Sequence, residues 1–424
     1  MAQAKADAPV GAAGPLVRRL TLEEAQQLAL ANNPSLTLAR INLMEKRYGV
    51  TAARKDYLPK VIGSVSYFHF NDDLGAITVP ATGRRGLFVP GTPLIHSAVL
   101  NENSALTTVF LAQPITKLIA VNAAVQAARS DEDSARAQLD KGQRDVASGV
   151  AQAYHALLGG RRIEAALQMQ VQLLEQVAKA KPIPELRVAL VEARQGLLQV
   201  KGQVEELNQQ LDNVLDLPAC TVLELVDPMP GDLPARCADD AAHLAVASSP
   251  EVRDAEAGIL KAEAALKLAR MDYLPDVTVL GGWANQTAAS YIQPNIGYFG
   301  LTANYTFWGW GKKRDVTRQR ETLVSLAQQN VAVARAKVTL DARKAYASYE
   351  QAREALGLAR EMVAARQDAE KAAKGEAALQ AKAETSKAAL ELMKAEIAYR
   401  VAHAQLAALI GAAEGCVRPA PQRS

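Results

Sequence analysis

The chain has 424 residues and a formal net charge of +3, with 48 basic and 45 acidic side chains. Charges so evenly interspersed suit solvated helix faces and exclude a nucleic-acid partner held by a basic patch. Hydrophobic residues make up 49% but aromatics only 5%, mean hydropathy is −0.06, and no run of about 18 apolar residues offers a transmembrane helix. Alanine supplies much of the apolar share, and long runs mix it with Glu, Lys, Arg, Gln and Leu, the composition of long helices and coiled coils.

In chain order, Met1 to Arg19 is rich in Ala, Gly and Pro and has no apolar core of signal-peptide length. Either it is a mature form behind a replaced start or the protein is not exported, and the rest of the chain favours the first reading. Thr21-Leu22-Glu23-Glu24 then fits a capping box, and Asn33-Pro34 restarts or bends the helix it opens. That helix runs to Arg54 and stops before Pro59. Extended segments follow at Val61 to Phe70 and Ser104 to Leu111, with a Gly/Pro-rich loop from Asn71 to Asn103 between them. From Thr116 to Lys179 there is no proline, so roughly 60 residues make about 90 Å of helix. The stretch ends at Lys181-Pro182-Ile183-Pro184, and a return helix covers Glu185 to Leu217.

The same order then repeats. Ala53-Arg54-Lys55-Asp56-Tyr57-Leu58-Pro59 returns 216 positions on as Ala269-Arg270-Met271-Asp272-Tyr273-Leu274-Pro275, and Ala25, Leu28, Ala29 and Pro34 match Ala241, Leu244, Ala245 and Pro250 at that offset. Tyr154 matches Tyr346 at an offset of 192, so the first copy carries 24 extra residues, most of them in the 71–103 loop. In the second copy the extended segments are Val277 to Asn285 and Gly297 to Phe307. The latter alternates an apolar face (Phe299, Leu301, Ala303, Tyr305, Phe307) with a more polar one. A proline-free run follows from Lys312 to Gly375, then a return helix from Glu376 to Ile410. The expected division is a tail at 1–19, a first repeat at 20–218, a linker at 219–236, a second repeat at 237–411 and a tail at 412–424. The fold class expected is mainly α, with long antiparallel helical hairpins and four membrane-length β-strands per chain. Four strands cannot close a membrane barrel, because an open edge in lipid leaves backbone groups unpaired. They must therefore be completed by neighbouring copies, and three chains would give twelve strands.

These residues resemble the TolC-type outer-membrane efflux proteins over about Leu20 to Gly411. Leu22-Glu23-Glu24-Ala25 with Asn33-Pro34 is similar to that family's opening helix, and Arg54 to Pro59 to its passage from helix to strand. Tyr305-Thr306-Phe307-Trp308-Gly309-Trp310-Gly311-Lys312 is similar to its passage from strand to helix, and Leu406 to Gly411 to its closing helix end. The resemblance implies a homotrimer with a twelve-stranded outer-membrane barrel on a periplasmic helical tunnel. It also implies a periplasmic adaptor and an inner-membrane efflux pump or transporter as partners, outer-membrane lipid around the barrel, and no cofactor. The chain departs from the family in two places: Ala112 to Thr116 lacks the glycines of the second copy, and both hairpin tips are abbreviated. A soluble coiled-coil scaffold and a periplasmic adaptor are the alternatives; the duplication argues against an adaptor, which carries one hairpin.

Nothing reads as an enzyme. The five histidines are scattered, and Gly309-Trp310-Gly311-Lys312-Lys313 lacks the spacer and hydroxyl of a phosphate loop. Tyr57, Tyr273, Tyr305, Phe307, Trp308 and Trp310 form either an interfacial aromatic girdle or an ordinary core cluster. The tips expected to meet an adaptor are Pro182, Ile183, Pro184, Glu185, Leu186 and Arg187 on one hairpin, and Lys374, Gly375, Glu376 and Leu379 on the other. Asp368, Glu370, Glu376 and Glu384 would become charged rings in a trimer and constrict the pore, or remain solvated surface charges. Cys220 and Cys237 bracket the linker and could pair in an oxidising compartment, or stay free.

Overall fold

The structure, a computed structural model, describes residues 17–80, 94–180, 184–218, 221–227, 231, 233–289, 291–373 and 376–412. In chain order the elements are β1 (Val17–Leu20), α1 (Leu22–Asn32), α2 (Pro34–Lys55), β2 (Lys60–His69), β3 (Leu74–Pro80), β4 (Leu94–Leu100), β5 (Asn103–Pro114), α3 (Lys117–Ala180) and α4 (Pro184–Leu215). Then come β6 (Val222–Leu225), α5 (Ala238–Ser248), α6 (Pro250–Met271), β7 (Asp276–Gln286), β8 (Asn295–Asn304), α7 (Lys312–Ala372) and α8 (Glu376–Leu409). Two compact units emerge. The first comprises Met1–Met44, Asp133–Glu256 and Gln329–Ser424; the second comprises Glu45–Glu132 and Ala257–Gln328. Each repeat of the sequence supplies residues to both.

The first unit is helical. Thr21 caps α1 as a capping box: its Oγ1 accepts from the Glu24 amide at 3.3 Å, and Glu24 Oε2 accepts from the Thr21 amide at 3.0 Å. Ala25 and Ala29 are fully buried, as are Ala241 and Ala245, their counterparts 216 positions on. A methyl side chain at these points lets helix axes approach closely, which is why alanine dominates the interior. Gly159 carries this further: a Cβ there would lie 2.1 Å from Ile397 Cγ1, so α3 and α8 meet where neither can gain an atom.

The duplication is legible as one hydrogen bond made twice. Tyr154, fully buried on α3, donates to Leu20 O at 2.8 Å and Val226 O at 2.6 Å. Tyr346, its counterpart on α7, donates to Arg236 O at 2.9 Å. Arg236 stands 216 positions after Leu20, and Tyr346 stands 192 after Tyr154. In each copy the long helix pins the residue just before the opening helix. Tyr154→Phe should lower the midpoint of chemical unfolding by the equivalent of ~1–3 kcal/mol, because the Val226 carbonyl loses its partner while the Leu20 carbonyl keeps only the Val226 amide at 3.2 Å. Tyr346→Phe, at a less completely buried site, should cost less.

A short parallel pair, β1 with β6, was not anticipated. It joins Val17–Leu20 of the N-terminal segment to Val222–Leu225 of the linker in register. Four-residue strands are too short to show a period.

The second unit is built on a four-stranded antiparallel sheet in the order β2-β5-β7-β8. Its strands of 10, 12, 11 and 10 residues match the ~9–11 needed to cross a bilayer at a tilt. β2 and β7 start 216 positions apart, and β5 and β8 start 192 apart, so the 24 extra residues lie between β2 and β5. That segment, expected to be a loop, carries the antiparallel hairpin β3–β4, registered from Leu74↔Leu100 to Pro80↔Leu94. The glycines and prolines in its middle obscured two flanking runs of strand-forming residues. The last strand was expected to reach Phe307 but stops at Asn304. The left-handed pair Trp310 (φ 52°) and Gly311 (φ 79°) turns the chain into α7 only a few residues later.

Candidate functional site

The register sorts the sheet's side chains into two faces. Val61, Gly63, Val65 and Tyr67 lie opposite Leu111, Val109, Thr107 and Ala105. Leu111, Val109 and Thr107 lie opposite Gly281, Trp283 and Asn285. Gly281 and Val279 continue onto Phe299 and Leu301. Between Val61 and Tyr67 and along the matching registers, this face holds no charged side chain. It is also the more exposed one: Phe299 is 83% accessible, Val65 76% and Val61 72%. The other face carries Ser64, hydrogen-bonded to Thr108 at 2.8 Å, with Ser66, Ser104, Thr278, Thr302 and Asn304 among apolar residues. An apolar patch this continuous is not left to water. The outer edges of β2 and β8 also have no partner strand among the described residues.

Below the sheet the aromatic residues are outside any core. Phe307 and Trp310 are 90% and 87% exposed, and Trp308 is similarly open. Tyr305 and Phe307 meet edge to face at 5.1 Å, as do Trp308 and Trp310 at 5.7 Å. Lys313 Nζ sits 4.4 Å over the Tyr305 ring. Trp310 holds a left-handed backbone, which costs a non-glycine residue about 1–2 kcal/mol. Tyr57 and Tyr273, at the tight turns before β2 and β7, are partly exposed.

Of the tip residues, Pro182, Ile183, Lys374 and Gly375 lie outside the described residues, as does Cys220. Pro184 opens α4 and is exposed, Glu185 and Leu186 follow in its first turn, and Arg187 is exposed. Glu376 opens α8, with Leu379 one turn on. Asp368 pairs with Lys371 at 2.9 Å, and Glu384 with Arg366 at 3.4 Å across the α7–α8 hairpin. Glu370 is half-buried on α7. Cys237 is an exposed free thiol. It stands 216 positions after Thr21 and does the same job for α5, its Sγ accepting from the Asp240 amide at 3.4 Å.

One cluster escaped the sequence reading. Asp227, beside β6, is gripped by Arg162 of α3 at 2.6 Å and by Arg400 of α8, tying the linker to a helix of each repeat. No motif marks it, because its members come from three distant segments. Hydrogen bonding from Arg400, then Arg162, holds the Asp227 carboxyl down at about 2. Its contribution is complete above 3.8 and fades only as pH falls toward 2. His155 nearby is buried, its Nδ1 without a partner among the described residues, and burial, helped by the Arg400 charge, lowers its pKa from 6.5 to about 4. The folded protein keeps His155 neutral where the unfolded chain takes up a proton. Stability should therefore fall between pH 6.5 and pH 4, by up to ~3 kcal/mol at about 1.4 kcal/mol per unit. Urea midpoints at pH 7 and pH 4.5 should lie closer together in His155→Gln than in wild type.

The sequence profile of the outer membrane efflux proteins matches residues 25–182 and 241–412. The chain belongs to that family. It is an outer-membrane protein and a transport duct rather than an enzyme. No curated protein matches the sequence, but solved structures do. The MtrE outer membrane channel of Neisseria gonorrhoeae, in its open state, superposes with a TM-score of 0.72 at 16% identity, covering 92% of this chain and 88% of that one. The outer-membrane channel OprN gives 0.71 at 17%, covering 92% and 90%. The outer membrane protein VceC of Vibrio cholerae gives 0.64 at 16%, covering 92% and 95%. At such identities the likeness is one of fold: long helices with a few membrane strands, the fold class expected from the sequence. No helix among the described residues is long and apolar enough to cross a membrane.

Proposed function

We propose that three copies of this family member close a twelve-stranded barrel in the outer membrane and act as the passive export duct of a tripartite efflux or type I secretion system. The observation that carries the reading is the four-stranded sheet, with an exposed apolar face and two unpaired edges. In lipid an open edge leaves backbone donors and acceptors unsatisfied, at several kcal/mol each. Copies related by a rotation axis can pair the β8 edge of one with the β2 edge of the next until the ring closes. The division into repeats at 20–218 and 237–411 belongs to this reading and is supported by the duplicated tyrosine bond.

The exposed aromatics from Tyr305 to Trp310, with Tyr57 and Tyr273, are read as the girdle at the periplasmic edge of the barrel. The hairpin tips, Pro182 to Arg187 and Lys374 to Glu376, are the surfaces offered to a periplasmic adaptor and, through it, to an inner-membrane pump. Pairing of Cys237 with Cys220 would staple the linker. Asp368, Glu370 and Glu384 are read as rings of charge near the closed end, which opens as the tip helices untwist.

In planar bilayers the purified protein should give single-channel steps that favour cations. Asp368→Asn with Glu370→Gln and Glu384→Gln should keep the steps and move the reversal potential toward anion selectivity. An unchanged reversal potential would remove the rings from the conduction path, and an absence of steps would count against the duct.

A further inference from the structure

A groove of ≈ 890 Å³ lies in the second unit where the sheet meets the helices. Its sheet residues, Lys60, Pro114, Asp276 and Asn304, share a face with Ser64 and Thr302, opposite Val65 and Phe299. Lys60 belongs to β2 and Asn304 to β8, the two outer strands, so the sheet curves around the groove and this face is its concave one. Exposure of adjacent side chains agrees: Val61 is 72% accessible and Ile62 42%, Phe299 83% and Tyr298 38%. The rest of the concave face, from Ile62 to Phe68 and along the matching registers, carries no charged side chain. The groove itself is charged. Lys60 is matched by Asp56 at 3.2 Å, and Lys117 by Asp276 at 2.8 Å. Lys312, Lys313 and Arg320 have no carboxylate partner among the described residues, and Asp272 is the one remaining acid in the lining. Lys313 and Arg320 are half-buried, where an unpaired cation is costly. Lys313 Nζ donates to Thr306 O at 3.5 Å and lies over the Tyr305 ring, which fixes its place. The α7 helix starts at Lys312, so its positive end adds to the same field.

We infer that Lys312, Lys313 and Arg320 of three copies form a basic ring in the bore, where the barrel gives way to the helices, and that this ring attracts and briefly holds solutes bearing an anionic group. The inference rests on the trimeric duct reading, which turns the concave face of each sheet inward. Three cations against one acid leave two net positive charges in each copy and six in the ring. No other charge on that face offsets them, and low-dielectric walls focus such a field along a cleft. Rings of Arg and Lys select for anions in pores. This ring works against the acidic residues read as rings near the tips, so the ion preference of the whole duct is the balance of the two.

The full chain is reconstituted in planar phosphatidylcholine bilayers under a potassium chloride gradient, and tripolyphosphate is added as the anionic probe. It should interrupt the single-channel current of the wild type. Replacing all three cations, Lys312→Gln, Lys313→Gln and Arg320→Gln, should slow the onset of each block by roughly tenfold or more and move the reversal potential further toward cations. In 1 M potassium chloride, where the screening length is about 3 Å, the two proteins should be blocked alike. Lys312→Arg with Lys313→Arg should behave as wild type, as should Arg314→Gln with Arg318→Gln, which lie outside the groove lining. Lys312→Gln alone, at an exposed position, should give an intermediate effect and serves where the triple variant fails to assemble. Unchanged helical circular dichroism and step size keep the comparison free of misfolding. Wild-type block and reversal potential in the triple variant, or in Lys312→Gln where that stands in for it, overturn the ring while leaving the duct intact. An equal effect from Arg314→Gln with Arg318→Gln overturns the groove in favour of diffuse surface charge. An absence of steps in the wild type overturns the duct reading, and this inference with it.

Discussion

Gly282→Val yields a protein that never forms its membrane sheet, whereas Gly297→Val, in the same sheet, assembles normally. A Cβ on Gly282 would lie 2.6 Å from both Val109 O and Phe110 Cβ, and 2.9 Å from Phe110 Cα. Two of those three atoms are backbone of the paired strand, so no side-chain rotation relieves the contact. Overpacking against a side chain costs about 1–3 kcal/mol; here the ladder itself must open, and each lost ladder bond adds about 1 kcal/mol. The bonds at risk join β5 of the first repeat to β7 of the second, over the register Leu106↔Gln286 to Pro114↔Thr278. Parting them leaves two separate hairpins, which are marginal alone. Gly297 has nothing within 4 Å of its own Cβ position. The check is the oligomer band on a native gel in detergent, lost for Gly282→Val and retained for Gly297→Val.

The second large effect separates the two faces of the sheet. Val65→Lys and Phe299→Lys, near the middle of β2 and β8 on the apolar face, should each destabilise the folded membrane form by ~2–4 kcal/mol. Ser66→Lys and Thr302→Lys, on the opposite face, should cost little and alter conductance instead. Folding into lipid vesicles from urea, followed by tryptophan fluorescence, reads the difference directly. Equal costs on both faces would mean that neither faces lipid.

What the sequence discloses follows from where the physical signal is local. The long helices were legible because proline is absent over stretches of about 60 residues, and proline is the strongest breaker of a helix. Four strands were legible from length and from flanking prolines, although β8 ends three residues before the alternation does, since Tyr305 and Phe307 continue the apolar pattern while the backbone has already left the ladder. The β3–β4 hairpin was missed because its middle is dense in turn residues. The Asp227 clamp was missed because its arginines sit on α3 and α8, 238 positions apart, and no local pattern links them. Tyr154 and Tyr346 were aligned as landmarks of the repeat, but their role depends on Leu20 and Arg236, whose carbonyls carry no side-chain signature. Cys237 drew attention as a thiol, whereas its position matches the capping Thr21. The two candidate rings Asp368 and Glu384 both have a partner cation on their own chain: Lys371 stands three residues after Asp368 on α7, a spacing open to the sequence, whereas Glu384 of α8 meets Arg366 of α7 only through the hairpin, which no local pattern discloses.

The central claim, that three copies complete a membrane barrel no single chain can close, is tested most directly by the mass of the purified protein in detergent, measured by light scattering with the detergent subtracted. Three protomers, held together in detergent and precipitating without it, are the predicted result. A monomer or dimer that stays folded in plain buffer would leave the β2 and β8 edges open and contradict the account.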